Sequence, residues 1–113
     1  MKDLRTEKQI QKDICDVLGR LGMPFSVTDV GLMRDKDGNF KYKRGTVGWC
    51  DVTSILPGGI FFGIEVKRQG KNPTEAQEAM HELLQQHGAE IIVARSASEV
   101  FDFIQNFKKN RLF

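Results

Sequence analysis

The chain has 113 residues, 40% hydrophobic and 28% charged, which fits one domain over residues 1–113 and excludes a disordered or fibrous protein. Two cysteines exclude a disulfide-rich scaffold, no CxxC spacing points to zinc, and the longest apolar runs, 59–64 and 91–94, are far short of the ~20 residues that cross a bilayer. A formal charge of +2 names no partner, and a first segment without an apolar core carries no signal peptide, so a reduced, cytoplasmic protein is expected with no membrane partner.

Leu4, Ile10, Ile14, Val17, Leu18 and Leu21 fall at the three-and-four spacing of a helix packed on a core, from Asp3 to Leu21. Thr6 with Gln9 makes a capping box, Asp3 is a competing start, and Gly22 and Pro24 end the helix. Glu7 lies three before Ile10 and seven before Ile14, so it points with the apolar set. Phe25 and Val27 alternate with Ser26 and Thr28, a short strand to about Val30.

Residues 31–48 read as a long basic loop with a small hairpin at Asp37-Gly38. Arg34, Lys36, Lys41, Lys43 and Arg44 there face only Asp35 and Asp37, and Lys108, Lys109 and Arg111 follow the last acid, Asp102. Such local excess either tracks a phosphate backbone or is a solvated loop and tail. Phe40, Tyr42 and Trp49 flank the loop; Trp49 is expected to pack against it, and Tyr42 either packs or stacks on bases.

Cys50–Leu56 and Ile60–Lys67 are two strands joined by Pro57-Gly58-Gly59. A helix then opens with Asn72 as cap, Pro73 at its first position and Glu75 closing the box; it carries Ala76, Met80, Leu83 and Leu84 and stops at Gly88. Glu90–Ala94 is a short buried strand. Ser96 and Glu99 cap a last helix bearing Val100, Phe101, Ile104 and Phe107. The short hairpin makes the second and third strands antiparallel. The helix between the third and fourth allows a parallel, right-handed crossover. The expected architecture is α/β, a mixed sheet flanked by helices.

Alternation divides the third strand into an apolar face, Ile60, Phe62, Ile64 and Val66, and a second face, Phe61, Gly63, Glu65 and Lys67, that ends in charge. A glutamate and a lysine on a mostly buried strand are costly unless paired or used. With a three-residue loop, Leu56 opposes Ile60, Thr53 opposes Gly63 and Asp51 opposes Glu65. A two-residue loop would put Asp51 on the apolar face. Apolar matching of Val52 and Leu56 favours the first register. Opposed residues have Cβ atoms ~5 Å apart, where like charges repel. Two such carboxylates suit a divalent cation that keeps water in its shell, Mg²⁺ or Mn²⁺. Lys67 on the same face is placed to hold a water or to stabilise charge on a phosphate. His81 and His87, six apart on a helix, are read as surface residues, and Cys15 and Cys50 as free thiols.

Asp51, a hairpin and Glu65-Val66-Lys67 resemble the PD-(D/E)xK nuclease superfamily. Gly48-Trp49-Cys50-Asp51, Ile64-Glu65-Val66-Lys67, Thr74-Glu75-Ala76-Gln77 and Leu84-Gln85-Gln86-His87-Gly88-Ala89 are similar to the VRR-NUC domain, and Glu7 with Ile10-Gln11 to its first-helix motif. The resemblance covers Glu7 to about Val100. It implies a restriction-endonuclease-like αβββαβ core and an Mg²⁺- or Mn²⁺-dependent endonuclease. Asp51, Glu65 and the carbonyl of Val66 would bind the metal, with Glu7 at the metal or its water shell. Lys67 would activate or orient water, and Gln77 would steady the site. From the residues alone, the other reading of Glu7 is a surface acid near a helix start, and that of Gln77 a buried-edge glutamine. The family usually has proline before the metal aspartate, where this chain has Cys50. Standalone members are similar to homodimeric Holliday-junction resolvases, which makes DNA, branched or four-way, the implied substrate, with Lys36, Lys41, Lys43, Arg44, Arg68 and Lys71 as DNA-binding candidates. A nuclease on duplex, flap or nicked DNA, and a non-catalytic DNA-binding module, are the alternatives.

Overall fold

Thr6 opens the first helix: its Oγ accepts from the Gln9 N–H at 3.1 Å while Gln9 Oε1 accepts from the Thr6 N–H at 2.8 Å. Two otherwise orphaned donors are satisfied reciprocally, and this settles the start of α1 (Glu7–Arg20) at Thr6 rather than Asp3. The computed structural model describes residues 5–28, 32–34, 36–42 and 46–111, and of residues 32–34 and 40–42 the backbone alone.

After α1 come β1 (Phe25–Val27), β2 (Leu32–Arg34), β3 (Phe40–Tyr42), β4 (Val52–Leu56), β5 (Ile60–Val66), α2 (Glu75–Gln86), β6 (Glu90–Ala94) and α3 (Ala97–Asn110). One sheet has the order β1-β4-β5-β6. β1 pairs with β4 and β4 with β5 antiparallel, whereas β5 and β6 are parallel. The mixed sheet expected from the connection lengths is thus present. The hairpin expected at Asp37-Gly38 is also present, as β2 paired antiparallel with β3, with Gly38 in the left-handed region at φ 85°. β1 stops at Val27, short of Val30, and the Thr28 N–H donates to the Asp51 carbonyl at 2.8 Å.

Ile10, Ile14 and Leu18 of α1, Val100 and Ile104 of α3, and Val52, Leu56, Phe62, Ile64, Val66 and Ala94 of the strands form one buried apolar cluster. Phe62 stacks on Phe103 with ring centroids 5.1 Å apart. The apolar stripes of α1 and α3 thus meet the even-numbered face of β5, as alternation requires. α2 lies over the opposite face, where Gly63 and Glu65 point.

One helix start differs from the sequence reading, and at another the start is as expected but one capping partner is not. At α2 the cap is Thr74, not Asn72: Thr74 Oγ accepts from the Gln77 N–H at 3.2 Å and Gln77 Oε1 from the Thr74 N–H at 2.9 Å. Both candidates carry a capping side chain with a box partner three residues on, Glu75 or Gln77, and the box that forms is that of Thr74 and Gln77. At α3 Ser96 caps through the Glu99 N–H at 3.3 Å, but the Glu99 carboxylate accepts from the Arg95 N–H, so no box closes.

Candidate active site

Leu56 pairs with Ile60, Thr53 with Gly63 and Val52 with Ile64, the three-residue-loop register. One step further, Asp51 stands beside Glu65 at the mouth of the β4–β5 ladder. Asp51 Oδ2 accepts from the Val66 N–H at 2.7 Å, which pins its carboxylate to β5.

Glu65 is fully buried, and α2 holds both of its oxygens. Gln77 Nε2 donates to Oε2 at 3.1 Å, and His81 Nε2 lies 3.0 Å from Oε1. Gln77 therefore works with both ends of its amide, the oxygen in the capping box and the nitrogen on Glu65. Burial, then the hydrogen bond and charge of Asp51, push Glu65 up to about 9; Lys67 pulls the other way and Glu7 adds to the rise. A raised value of this kind is the usual result of burying a carboxyl group and crowding it with a like charge, and it favours the protonated form of Glu65 at neutral pH. Burial pushes the His81 imidazole below its ordinary value, so its contact with Glu65 joins a neutral ring to a carboxyl group.

His81 corrects the sequence reading, which placed it on the surface: only 8% of it is exposed. Its partner is Glu65 and not the other histidine. The informative spacing was four residues from Gln77, one turn along the face that crosses over Glu65. His87 is exposed, with Nδ1 3.0 Å from the Leu83 carbonyl.

The segment before Asp51 is pressed onto the first turn of α2. Gly48 has φ 85° and a Cβ there would stand 2.5 Å from the Ala76 carbonyl oxygen. Cys50, where the family resemblance expects proline, is buried over Gly63, whose own Cβ would meet its Sγ at 2.5 Å. The thiol fills the space above the glycine, and burial with the nearby Glu65 and Asp51 pushes it up to about 12. It is a packing group and not a nucleophile. Trp49 packs edge-on to Phe61 at 5.7 Å.

Lys67, half-buried, follows β5, and its N–H donates to the Ala94 carbonyl at 3.0 Å. It borders an open cleft of about 300 Å³ with Thr6, Glu7, Arg68, Lys71 and Asn72. Glu7 Oε2 accepts from the Arg68 N–H at 3.3 Å, so α1 does bring this carboxylate to the site's edge. Of the DNA-binding candidates, Arg68 and Lys71 reach the cleft, and Lys36 is exposed in the β2–β3 turn. The Lys41 and Tyr42 side chains, Lys43 and Arg44 lie outside the described residues.

Among the described residues no three His, Cys, Asp or Glu side chains are arranged to hold a metal ion. Two adjacent carboxylates with a displaceable proton fit an ion that keeps most of its ligands as water, as Mg²⁺ and Mn²⁺ do, and do not make a closed zinc site.

No protein-family model matches the sequence, and no curated protein does. Solved structures are similar. One described as "VRR_NUC domain" superposes with a TM-score of 0.65 at 24% identity, over 89% of this chain and 96% of the other. A second, "VRR_NUC domain protein", gives 0.64 at 22% identity, over 96% and 92%. The fold is that of the VRR-NUC domain. No helix among the described residues is long and apolar enough to cross a membrane.

Proposed function

We propose that the chain is a metal-dependent DNA endonuclease of the VRR-NUC type, a phosphodiester hydrolase whose 113 residues form one nuclease domain in a reduced, cytoplasmic setting. The observation that carries this reading is the adjacent pair Asp51 and Glu65, held in place by the Val66 N–H, Gln77 and His81, with Lys67 two residues beyond Glu65 beside an open cationic cleft. Asp51 and Glu65 would hold Mg²⁺ or Mn²⁺, with the Val66 carbonyl and Glu7 completing its surroundings. When bound, the ion supplies Lewis acidity to a phosphate oxygen and acidity to water.

The chain's own residues do the remaining work. Asp51 is fixed by the Val66 N–H, and Glu65 by Gln77 and His81, so neither must reorganise as charge develops. Lys67 orients the attacking water and faces the negative charge that builds on phosphorus. Water adds to phosphorus, the phosphorus–oxygen bond to the neighbouring sugar breaks, and a nicked strand remains. Lys36, Lys41, Lys43, Arg44, Arg68 and Lys71 would follow the backbone. Recognition is taken to rest on the shape of the DNA. A four-way junction cut by a homodimer, one site per strand, is the substrate this favours.

Labelled four-way junction, flap, nicked and plain duplex, incubated with Mg²⁺, Mn²⁺ or EDTA, test it. The expected result is metal-dependent cleavage, strongest on the junction, that falls roughly 100-fold or more in Lys67→Ala. No cleavage with either ion, or full activity in Lys67→Ala, overturns the mechanism. Equal cleavage of every substrate overturns the junction preference alone.

A further inference from the structure

The cleft beside the carboxylate pair is lined by three cations, Lys67, Arg68 and Lys71, and one anion, Glu7, whose Oε2 is engaged by the Arg68 N–H. The wall that carries Arg68 and Lys71 is a built turn. The Lys71 N–H donates to the Arg68 carbonyl at 3.2 Å, and Gly70 between them has φ 83°, the left-handed position that such a turn gives to glycine. Both carbonyls at the ends of the turn are then taken by one nitrogen from outside it. Arg95, just past β6, donates from Nη1 to the Arg68 oxygen at 2.7 Å and to the Lys71 oxygen at 2.6 Å. A single guanidinium nitrogen thus bridges the turn's two ends, and the Arg95 backbone is anchored by its N–H to Glu99 Oε2 at 3.1 Å.

We propose that the Arg68–Lys71 turn is a phosphate-binding subsite for the DNA strand, bordering the same cleft as Lys67, with Arg95 as its positioning residue. This rests on the nuclease reading. The chemistry of the cleft selects its occupant. None of its six lining residues is aromatic, so it offers no platform for a base, whereas a phosphodiester needs cations in an open, polar setting, which the cleft has. Arg95 commits its Nη1 to two backbone carbonyls and acts through the turn, which holds Arg68 and Lys71 at the cleft before DNA arrives. Such preorganisation lowers the ordering cost of binding.

Binding of labelled junction and duplex, measured by anisotropy with Ca²⁺ in place of Mg²⁺, tests the subsite without cleavage. Lys71→Ala is expected to weaken binding roughly threefold to tenfold and to lower the salt slope by about 1, one phosphate contact. Arg95→Met should weaken binding by a similar factor, and Arg95→Lys should restore part of it. Added to the Arg68→Ala, Lys71→Ala double variant, Arg95→Met should cost nothing further. Gly70→Ala, whose Cβ meets no atom within 4 Å, strains only the turn and should reproduce the Arg95→Met loss. In each case Mn²⁺ affinity by calorimetry should stay at the parent value. Unchanged DNA affinity in Arg95→Met and Gly70→Ala overturns the subsite while leaving the nuclease reading standing. Equal loss from Arg95→Met on the double-variant background overturns the positioning role. A parent protein that binds Mn²⁺ and no DNA overturns both readings.

Discussion

Glu65 is held from several sides. It is buried, carries a proton at neutral pH and has a hydrogen-bonding partner at each oxygen. The carboxylate that would bind a cation is thus aimed before the cation arrives, and the partners of a ligand matter nearly as much as the ligand. His81→Leu should lower Mn²⁺ affinity about 10–100-fold in calorimetry. It should also cost about 1–3 kcal/mol in urea unfolding, since a buried carboxyl oxygen loses its partner. His81→Gln, which keeps a donor near the same place, should recover much of the affinity. If His81→Leu binds Mn²⁺ as well as the parent, the histidine only fills space.

At the scale of elements, α2 and the loop before β4 are one unit. The helix begins at Thr74 because Gln77 closes its box, and the same glutamine reaches Glu65. Gln77→Glu separates these two jobs. A glutamate still completes the box, so helix stability should hold, but it places an acceptor where Glu65 needs a donor. The expected result is an unchanged far-ultraviolet circular dichroism spectrum with a clear loss of Mn²⁺ binding at pH 7.5. Gly48→Ala should cost about 1–3 kcal/mol from backbone strain alone, with more from the collision with the Ala76 carbonyl; urea unfolding would read it. The strands were legible in the sequence because β5 alternates so cleanly that its two faces, its register with β4 and the Asp51–Glu65 meeting all follow from period-two counting. The start of α2 was less so, because Asn72-Pro73 and Thr74 both carry start signals and only side-chain hydrogen bonding decides between them. His81 was not legible from its own neighbours in the chain, since its partner lies sixteen residues away on β5. Lys71 and Arg68 could be read as cations, but the bond from Arg95 that shapes their turn spans twenty-four residues and more.

For the whole molecule, the apolar cluster shared by α1, α3 and the sheet lies on the face away from the carboxylates, so the fold does not depend on a metal and should persist in EDTA. Its stability should nevertheless depend on pH in a way that reports the site. Between the ordinary glutamate value of 4.5 and about 9, folded Glu65 keeps a proton that the unfolded chain has released. The native state then binds more protons than the unfolded one, and metal-free stability falls as pH rises through that window. His81 acts oppositely, but only below its ordinary value of 6.5, and the two cysteines, both raised, act only above 9. From pH 7 to 9 the Glu65 contribution therefore stands apart from these other shifted groups. A divalent cation displaces that proton, so its affinity should rise over the same range. Thermal melts in EDTA and in millimolar Mn²⁺ should diverge steadily from pH 7 to 9, the gap reaching about 2.7 kcal/mol where the ion is at 100 times its Kd. Glu65→Gln should flatten the metal-free curve and remove the gap. A gap that stays constant with pH would mean that the cation binds elsewhere.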